Sequence, residues 1–161
     1  KLGQQDFREL ALTSKMQDVV YDYVIIDTSP TLGTLLINAL FYAEYVIMPV
    51  QLGYFSLTGI ESFLETINRT NKLALRHKIP VIDILGVLFT FYKTNTKLSK
   101  RVLDTVEELF PNKVFESRIP ENVKLNEAQE KGRSVFDHDA LCSGAQAYKK
   151  LTLEVESLLC R

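Results

Sequence analysis

The sequence predicts an α/β protein whose parallel sheet is flanked by helices. The segments 22–27, 45–50, 82–92 and 113–119 read as strands, the first around an unbroken apolar run at 23–26. Stretches with apolar residues at helical spacing separate them. The connections run 10 to 20 residues, too long for hairpins and suited to helical crossovers between parallel strands. With 161 residues the chain is long enough for one domain with a real core, and 1–161 reads as a single domain without repeat, linker or low-complexity segment.

Residues 5–20 are expected to be helical, since Leu12, Met16, Val19 and Val20 fall at relative positions 0, 4, 7 and 8. The run at 23–26 is β-branched in three of its four residues and fits a strand buried on both faces. A helix follows over 30–43. Leu32, Leu35, Leu36, Ala39 and Ala43 form one face and Ile37, Leu40 and Phe41 cover much of the other, so it must be buried in a layer or at a subunit contact. The next strand, 45–50, leads through 51–57 into a long helix keyed by Ile60, Phe63, Leu64 and Ile67. After the strand 82–92 and a polar turn, the helix 97–110 should bury Leu98, Val102, Val106, Leu109 and Phe110. The strand 113–119, a short helix 123–130 ending at Lys131 and Gly132, an irregular stretch 133–142 and a helix 143–159 complete the chain. Tyr148, Leu151, Val155, Leu158 and Leu159 make the last helix's apolar stripe.

The first strand ends on Asp27, at the carboxyl end of a strand, where open α/β sheets bind ligands. A carboxylate there suits Mg²⁺ reached through water beside phosphates, although an apolar run ending on a polar Asp is also common. Thr28-Ser29-Pro30 then reads as a turn that caps the next helix. Composition is that of an ordinary globular chain, 46% apolar and 24% charged. A net charge of −1 gives no global attraction to nucleic acid or anionic membrane, so such binding needs a local patch. No apolar run approaches the roughly 18 residues of a membrane span. Cys142 and Cys160 lack metal-ligand spacing and are expected to be reduced thiols in a cytoplasmic protein.

The stretch 21–40, YDYVIIDTSPTLGTLLINAL, resembles the Walker B and switch II segment of the ParA/Soj/MinD family of deviant Walker ATPases. That family carries a strand, then D-x-P-P-S-L-G, then a helix with I-N-A-L. The match here is Asp27, Thr28, Ser29, Pro30, Thr31, Leu32 and Gly33, then Ile37, Asn38, Ala39 and Leu40; Ser29 and Thr31 depart from the family's Pro and Ser. Pro49, Gln51, Tyr54, Phe55, Leu57 and Gly59 match the family's P-x-Q-x-x-Y-F-S/A-L-x-G element, which lies near its dimer contact. The resemblance implies a P-loop NTPase sheet, with ATP and Mg²⁺ as cofactors and Asp27 as the switch II carboxylate contacting Mg²⁺ through water.

The run 118–128, RIPENVKLNEA, resembles the family's I-P-R-N-V-x-L-S-E-A segment, whose loop frames the adenine ring. By that resemblance Pro120 and Asn122 flank the base, while Glu121 reverses the charge of the family's Arg. The same two residues also favour an ordinary turn. N-T-K-L-S-K-R-V resembles the family's T-N-L-S-x-x-V, around which DNA-partitioning members hold the DNA backbone. Lys93, Lys97, Lys100, Arg101 and Lys124 are the corresponding candidates here, with Arg118 nearby in sequence. Exposed Lys and Arg on an amphipathic helix would look the same, and Asp104, Glu107 and Glu108 dilute the patch. His77 and His138 read as surface or loop residues without a ligand-spaced partner, and the FDHD run as an exposed acidic loop.

No G-x-x-x-x-G-K-[ST] or K-G-G-x-G-K-[ST] occurs, and the chain opens on Lys1. The resemblance therefore implies a carboxyl-terminal portion of a ParA-like ATPase, without roughly 100 residues that hold the phosphate loop, judged from the size of such domains. Without the phosphate-loop strand, the strand at 22–27 would expose unpaired backbone and apolar faces. The expected function is part of an ATP-dependent dimeric switch in plasmid or chromosome partitioning. It would be cytoplasmic and nucleoid-associated, with non-specific DNA and a ParB-type protein as partners and no membrane. This chain alone is expected to be inactive as an ATPase. The alternatives are a non-catalytic interaction module or pseudo-ATPase of the same fold, and a MinD-like membrane-cycling ATPase. The last is disfavoured because KKLTLEVESLLCR carries Glu154 and Glu156 and few basic residues, and reads as a packed helix.

Overall fold

The computed structural model describes residues 10–16, 20–28, 33–51, 57–93 and 97–160. The fold is α/β, a parallel sheet flanked by helices. The chain divides into two compact units, Lys1–Val46 with Ser56–Asp83 and Ile47–Phe55 with Ile84–Arg161.

The first unit holds α1 (Ala11–Lys15), α2 (Thr34–Tyr42) and α3 (Leu57–Arg76). The expected helix 5–20 is described only as α1, closed by Met16; residues 5–9 and 17–19 lie outside the described residues. In α2, Leu36, Ala39, Leu40 and Phe41 are buried as the apolar pattern requires. Leu35, expected on the buried face, is instead 82% exposed, because it lines an open cleft. Asn38 is buried in its place: its side-chain N–H₂ donates to the Thr34 carbonyl at 2.9 Å, and its Oδ1 accepts the Leu12 N–H at 3.2 Å. That amide belongs to the first turn of α1, where helices leave donors unsatisfied, so the Asn of I-N-A-L ties two helices together. α3 buries Ile60, Ile67 and Ala74 at seven-residue spacing. It ends through Lys78 in the left-handed region (φ 57°), with the Ile79 N–H returning to the Ala74 carbonyl at 2.9 Å. The Asn71 amide then grips both backbone groups of Ile82 at 2.9 Å, fixing where the next strand begins.

The expected strand 22–27 is not one. Among the described residues nothing pairs with it, and Tyr21, Tyr23 and Ile25 are exposed, Ile25 at 94%. A run suited to burial on both faces lies open because no neighbouring strand satisfies its backbone.

The second unit is built on β2 (Asp83–Thr90), which pairs with β1 (Tyr45–Gln51). Pro49, which cannot donate to a ladder, is tolerated because β1 has no described neighbour on its other side. On the opposite side of β2 the expected strand 113–119 appears as two isolated parallel bridges, Val87 with Val114 and Tyr92 with Pro120. The interruption has a cause. Val87 donates to Lys113 and accepts from Phe115, so the regular parallel register would give the Ser117 N–H to Phe89. The Phe89 carbonyl instead accepts from Ile119 at 2.9 Å, which leaves Glu116 and Ser117 bulged out of the ladder. β2 answers with its own irregularity at Phe91, left-handed at φ 49°, before the Tyr92 N–H reaches the Ile119 carbonyl.

Val87 and Phe89 are fully buried, and Gly86 has no side chain because the Phe115 ring lies across it; a Cβ there would meet the ring at 2.5 Å. The helix α4 (Lys97–Leu109) buries Val106, and Phe110 just beyond it, while Leu109 is half exposed. α5 (Val123–Glu130) and α7 (Ser143–Leu159) have the bounds read from the sequence. The stretch expected to be irregular contains α6 (Val135–Asp139), capped by the Ser134 hydroxyl, which accepts the Phe136 N–H. Leu151, Val155 and Leu158 of α7 pack on Leu88, Phe115 and Ile119, so the last helix is a core element, while Tyr148 is more than a third exposed. Among the described residues no helix is long and apolar enough to cross a membrane.

Candidate functional site

In the first unit Asp27 and Thr28 lie on a cleft of about 610 Å³. Its walls come from α1, from residues 26–28 and from the exposed side of α2, including Leu12, Ile26, Leu35 and Ala39. The volume suits a nucleotide-sized ligand. The Asp27 carboxylate and the Thr28 hydroxyl offer hard oxygen donors of the kind Mg²⁺ takes. Lys15 of α1 lines the same cleft and brings a cation to it; a lone Lys on an amphipathic helix gives no sequence signal for that role. Ser29, Pro30, Thr31 and Leu32 of the switch-like turn, and Tyr54 and Phe55 of the second matched element, lie outside the described residues. Among the described residues no group of three or more His, Cys, Asp or Glu could hold a metal by itself.

In the second unit the edge segment leaves the sheet at Pro120 and turns into α5. Asn122 caps α5: its Oδ1 accepts the Lys124 N–H at 2.7 Å, and its amide donates to the Ser143 hydroxyl, also at 2.7 Å. This pins the 120–122 turn to the start of α7. Cys142 caps that helix, its Sγ accepting the Ala145 N–H at 3.3 Å. Gly144 permits the close fit, since a Cβ there would meet Leu125 at 2.7 Å. The Arg118 guanidinium lies over the Tyr92 ring, 4.7 Å from its centroid, and donates to the Tyr92 hydroxyl.

The basic candidates are not equivalent. Lys93 is ion-paired with Glu121. Lys124 is paired with Glu127 at 2.9 Å. Lys100 and Arg101 are exposed on α4; Lys97 opens that helix, and its side chain lies outside the described residues. His138, expected to be a surface or loop residue, lies in α6 and is largely buried, and its Nε2 lies 2.9 Å from Glu127 Oε2. The hydrogen bond from Lys124, joined by the one to His138, holds the Glu127 carboxyl at about 2, well below the ordinary 4.5. The same Lys124–Glu127 hydrogen bond raises the pKa of Lys124. The FDHD run is thus only partly exposed acid: Asp139 accepts the Leu141 and Cys142 N–H groups and shapes the entry to α7.

A protein-family model described as an AAA domain matches residues 1–81, half of the sequence. The chain belongs to the ParA/Soj/MinD-type AAA-domain family. It is 40% identical over 156 residues to the chromosome-partitioning ATPase Soj of Treponema pallidum, covering 96% of this chain and 60% of that protein. It is 37% identical over 150 residues to the sporulation initiation inhibitor protein Soj of Bacillus subtilis, covering 92% of this chain and 58% of that one. Among solved structures it is similar to cobyrinic acid a,c-diamide synthase from Mycobacterium smegmatis with bound ATP analog and magnesium. There the TM-score is 0.71 at 29% identity, over 99% of this chain and 55% of that one. The fold is accordingly of the P-loop NTPase type. The chain spans about three fifths of the length of the two Soj relatives.

Proposed function

We propose that this chain is the carboxyl-terminal portion of an ATP-dependent, dimeric switch of the Soj/ParA type that acts in chromosome or plasmid partitioning. The carrying observation is Asp27, the first residue of a segment that resembles the family's D-x-P-P-S-L-G, on a ligand-sized cleft. Support comes from the two Soj relatives and from a similar structure holding an ATP analog and magnesium. Bound Mg²⁺ would neutralise charge on the nucleotide phosphates, and Asp27 would hold it through water. Mg²⁺ keeps several waters and takes few protein ligands, so one carboxylate suffices for that contact. Pro120 and Asn122 are assigned to a nucleotide base on the resemblance of 118–128 to the family's I-P-R-N-V-x-L-S-E-A segment.

Lys100 and Arg101, with Lys97, are the foremost DNA-backbone candidates, because Lys93 and Lys124 already face carboxylates. Their binding would be sequence-independent and salt-sensitive. A ParB-type protein and the nucleoid are the partner and location this reading implies. Leu151, Val155 and Leu158 of α7 pack on the core, which supports this reading over the membrane-cycling alternative.

The test is steady-state ATP hydrolysis by the full-length natural polypeptide in the presence of DNA. Turnover is expected, with an Asp27→Ala loss of about 10- to 100-fold, the usual effect of removing an outer-shell metal contact. The 161-residue chain by itself should show none. Absence of turnover and of nucleotide binding in the full-length protein would leave only the non-catalytic alternative.

A further inference from the structure

One wall of the Asp27 cleft is weakly held. α1 contributes Ala11, Leu12 and Lys15 to the lining, together with Leu35 and Asn38 of α2. Yet α1 has five residues and buries none of them. A helix that short does not stand alone in water and depends on tertiary contacts. Among the described residues the Thr13 hydroxyl is buried without a hydrogen-bond partner, which counts against the docked position of α1. One hydrogen bond among the described residues ties α1 to another element: the Leu12 N–H donates to Asn38 Oδ1 at 3.2 Å. Leu12 lies in the first turn, so its amide gains no partner from the helix itself. Asn38, by contrast, is firmly placed. It is 9% exposed, its side-chain N–H₂ donates to the Thr34 carbonyl one turn back at 2.9 Å, and Ala39, Leu40 and Phe41 beside it are buried. A rigid acceptor on α2 thus meets the free end of a marginal helix.

We propose that Asn38 is a positioning residue for the nucleotide, a latch that holds α1 against α2 and so keeps that wall of the cleft in place. With the latch closed, Leu12 and Lys15 line the cleft. With it open, α1 has no polar tie to α2 and the wall is lost. A ligand that needs this wall binds only the closed form, so its apparent affinity scales with the closed fraction. By the same linkage, a bound ligand holds the latch closed. The inference rests on the nucleotide reading given above. It stays within the first unit, which contains α1, α2 and Asp27. It also gives the Asn of I-N-A-L a task that the burial of an apolar helix does not require.

The test uses the full-length natural polypeptide and four variants, Asn38→Leu, Asn38→Asp, Ile67→Ala and Ser14→Ala. Leu is close to Asn in size and offers no acceptor, so it opens the latch. Asp keeps an acceptor for the Leu12 N–H and gives up only the donor to Thr34. Ile67 is buried on α3 and does not line the cleft, so its truncation lowers stability and spares the latch. Ser14 is exposed on α1 and bonds only the Ala11 carbonyl of its own helix. Binding of Mg²⁺ with ATP is measured by calorimetry, and hydrogen exchange at the Leu12 amide is followed with and without that ligand. In the unaltered protein, ligand well above its Kd should slow Leu12 exchange by about tenfold or more. Asn38→Leu should weaken binding by about fivefold to tenfold, the equivalent of one net hydrogen bond, and quicken Leu12 exchange. Asn38→Asp should recover most of the affinity, and Ile67→Ala and Ser14→Ala should leave it unchanged. Ligand binding that leaves Leu12 exchange unaltered, or Asn38→Leu binding no more weakly than Ile67→Ala, would overturn the latch while the nucleotide reading stands. If the unaltered polypeptide binds no ATP with Mg²⁺, both fall. Should either Asn38 variant fail to fold, Leu12 exchange in the unaltered protein decides alone.

Discussion

Residues 20–28 and residues 84–92 are both apolar, β-branched runs, and they meet opposite fates. The second forms β2, with Val87 and Phe89 fully buried between two pairing partners. The first has no pairing partner among the described residues, and Ile25 stands 94% exposed. Both are apolar enough to read as strands, and it is the presence of neighbours that makes one of them pair. An apolar run becomes a strand only where another chain segment satisfies its backbone, and the contribution of its side chains to stability follows from that.

Truncation should give the largest contrast. Phe89→Ala should destabilise the second unit by about 3–5 kcal/mol, the range for emptying a buried aromatic site, measured by denaturant unfolding. Gly86→Ala forces a methyl into the Phe115 ring and should cost about 1–3 kcal/mol; a neutral result would show that the ring is free to move aside. Acid sharpens the contrast inside the second unit. Because the carboxyl of Glu127 is depressed to about 2, its contribution to stability is complete above 4.5 and is lost as pH falls through 2. Glu127→Gln should flatten that part of the pH–stability curve, and a Glu127 resonance titrating near 4.5 would contradict the Lys124 and His138 contacts. Replacing Lys100 and Arg101 together by Ala should leave stability within about 0.5 kcal/mol. It should also lower the slope of log affinity against log salt for DNA by about two. Smallest of all, Ile25→Ser in the 161-residue chain should change stability by less than about 0.5 kcal/mol. A loss comparable to that at Phe89 would mean that 20–28 is buried after all.

The sequence and the structure agree where the information is local. The bounds of α5 and α7, the burial of Val106 and Phe110 and the turn at Gly132 follow from periodicity, capping residues and a glycine. Asp27 stands out in the sequence because a motif surrounds it, and in the structure it lines a cleft. Contacts between distant residues were not legible. The Glu154 carboxylate meets amides 37 and 38 positions away, and nothing near Glu154 marks it. His138 finds Glu127 across 11 positions that include the end of one helix and the start of another. The break in the 113–119 strand arises from two surplus residues in the register, which alternation of apolar residues does not encode. Leu35 was misplaced because a helix that is apolar nearly all round does not say which side meets open space.

In the proposed function the Asp27 carboxylate serves a nucleotide-bound Mg²⁺. Calorimetric titration of ATP into the full-length natural polypeptide, with Mg²⁺ and with the metal chelated, tests it most directly. Mg²⁺ should tighten ATP binding by about 10- to 100-fold in the unaltered protein, and Asp27→Asn should erase most of that gain while leaving the metal-free affinity in place. An equal Mg²⁺ effect in both proteins would contradict the account.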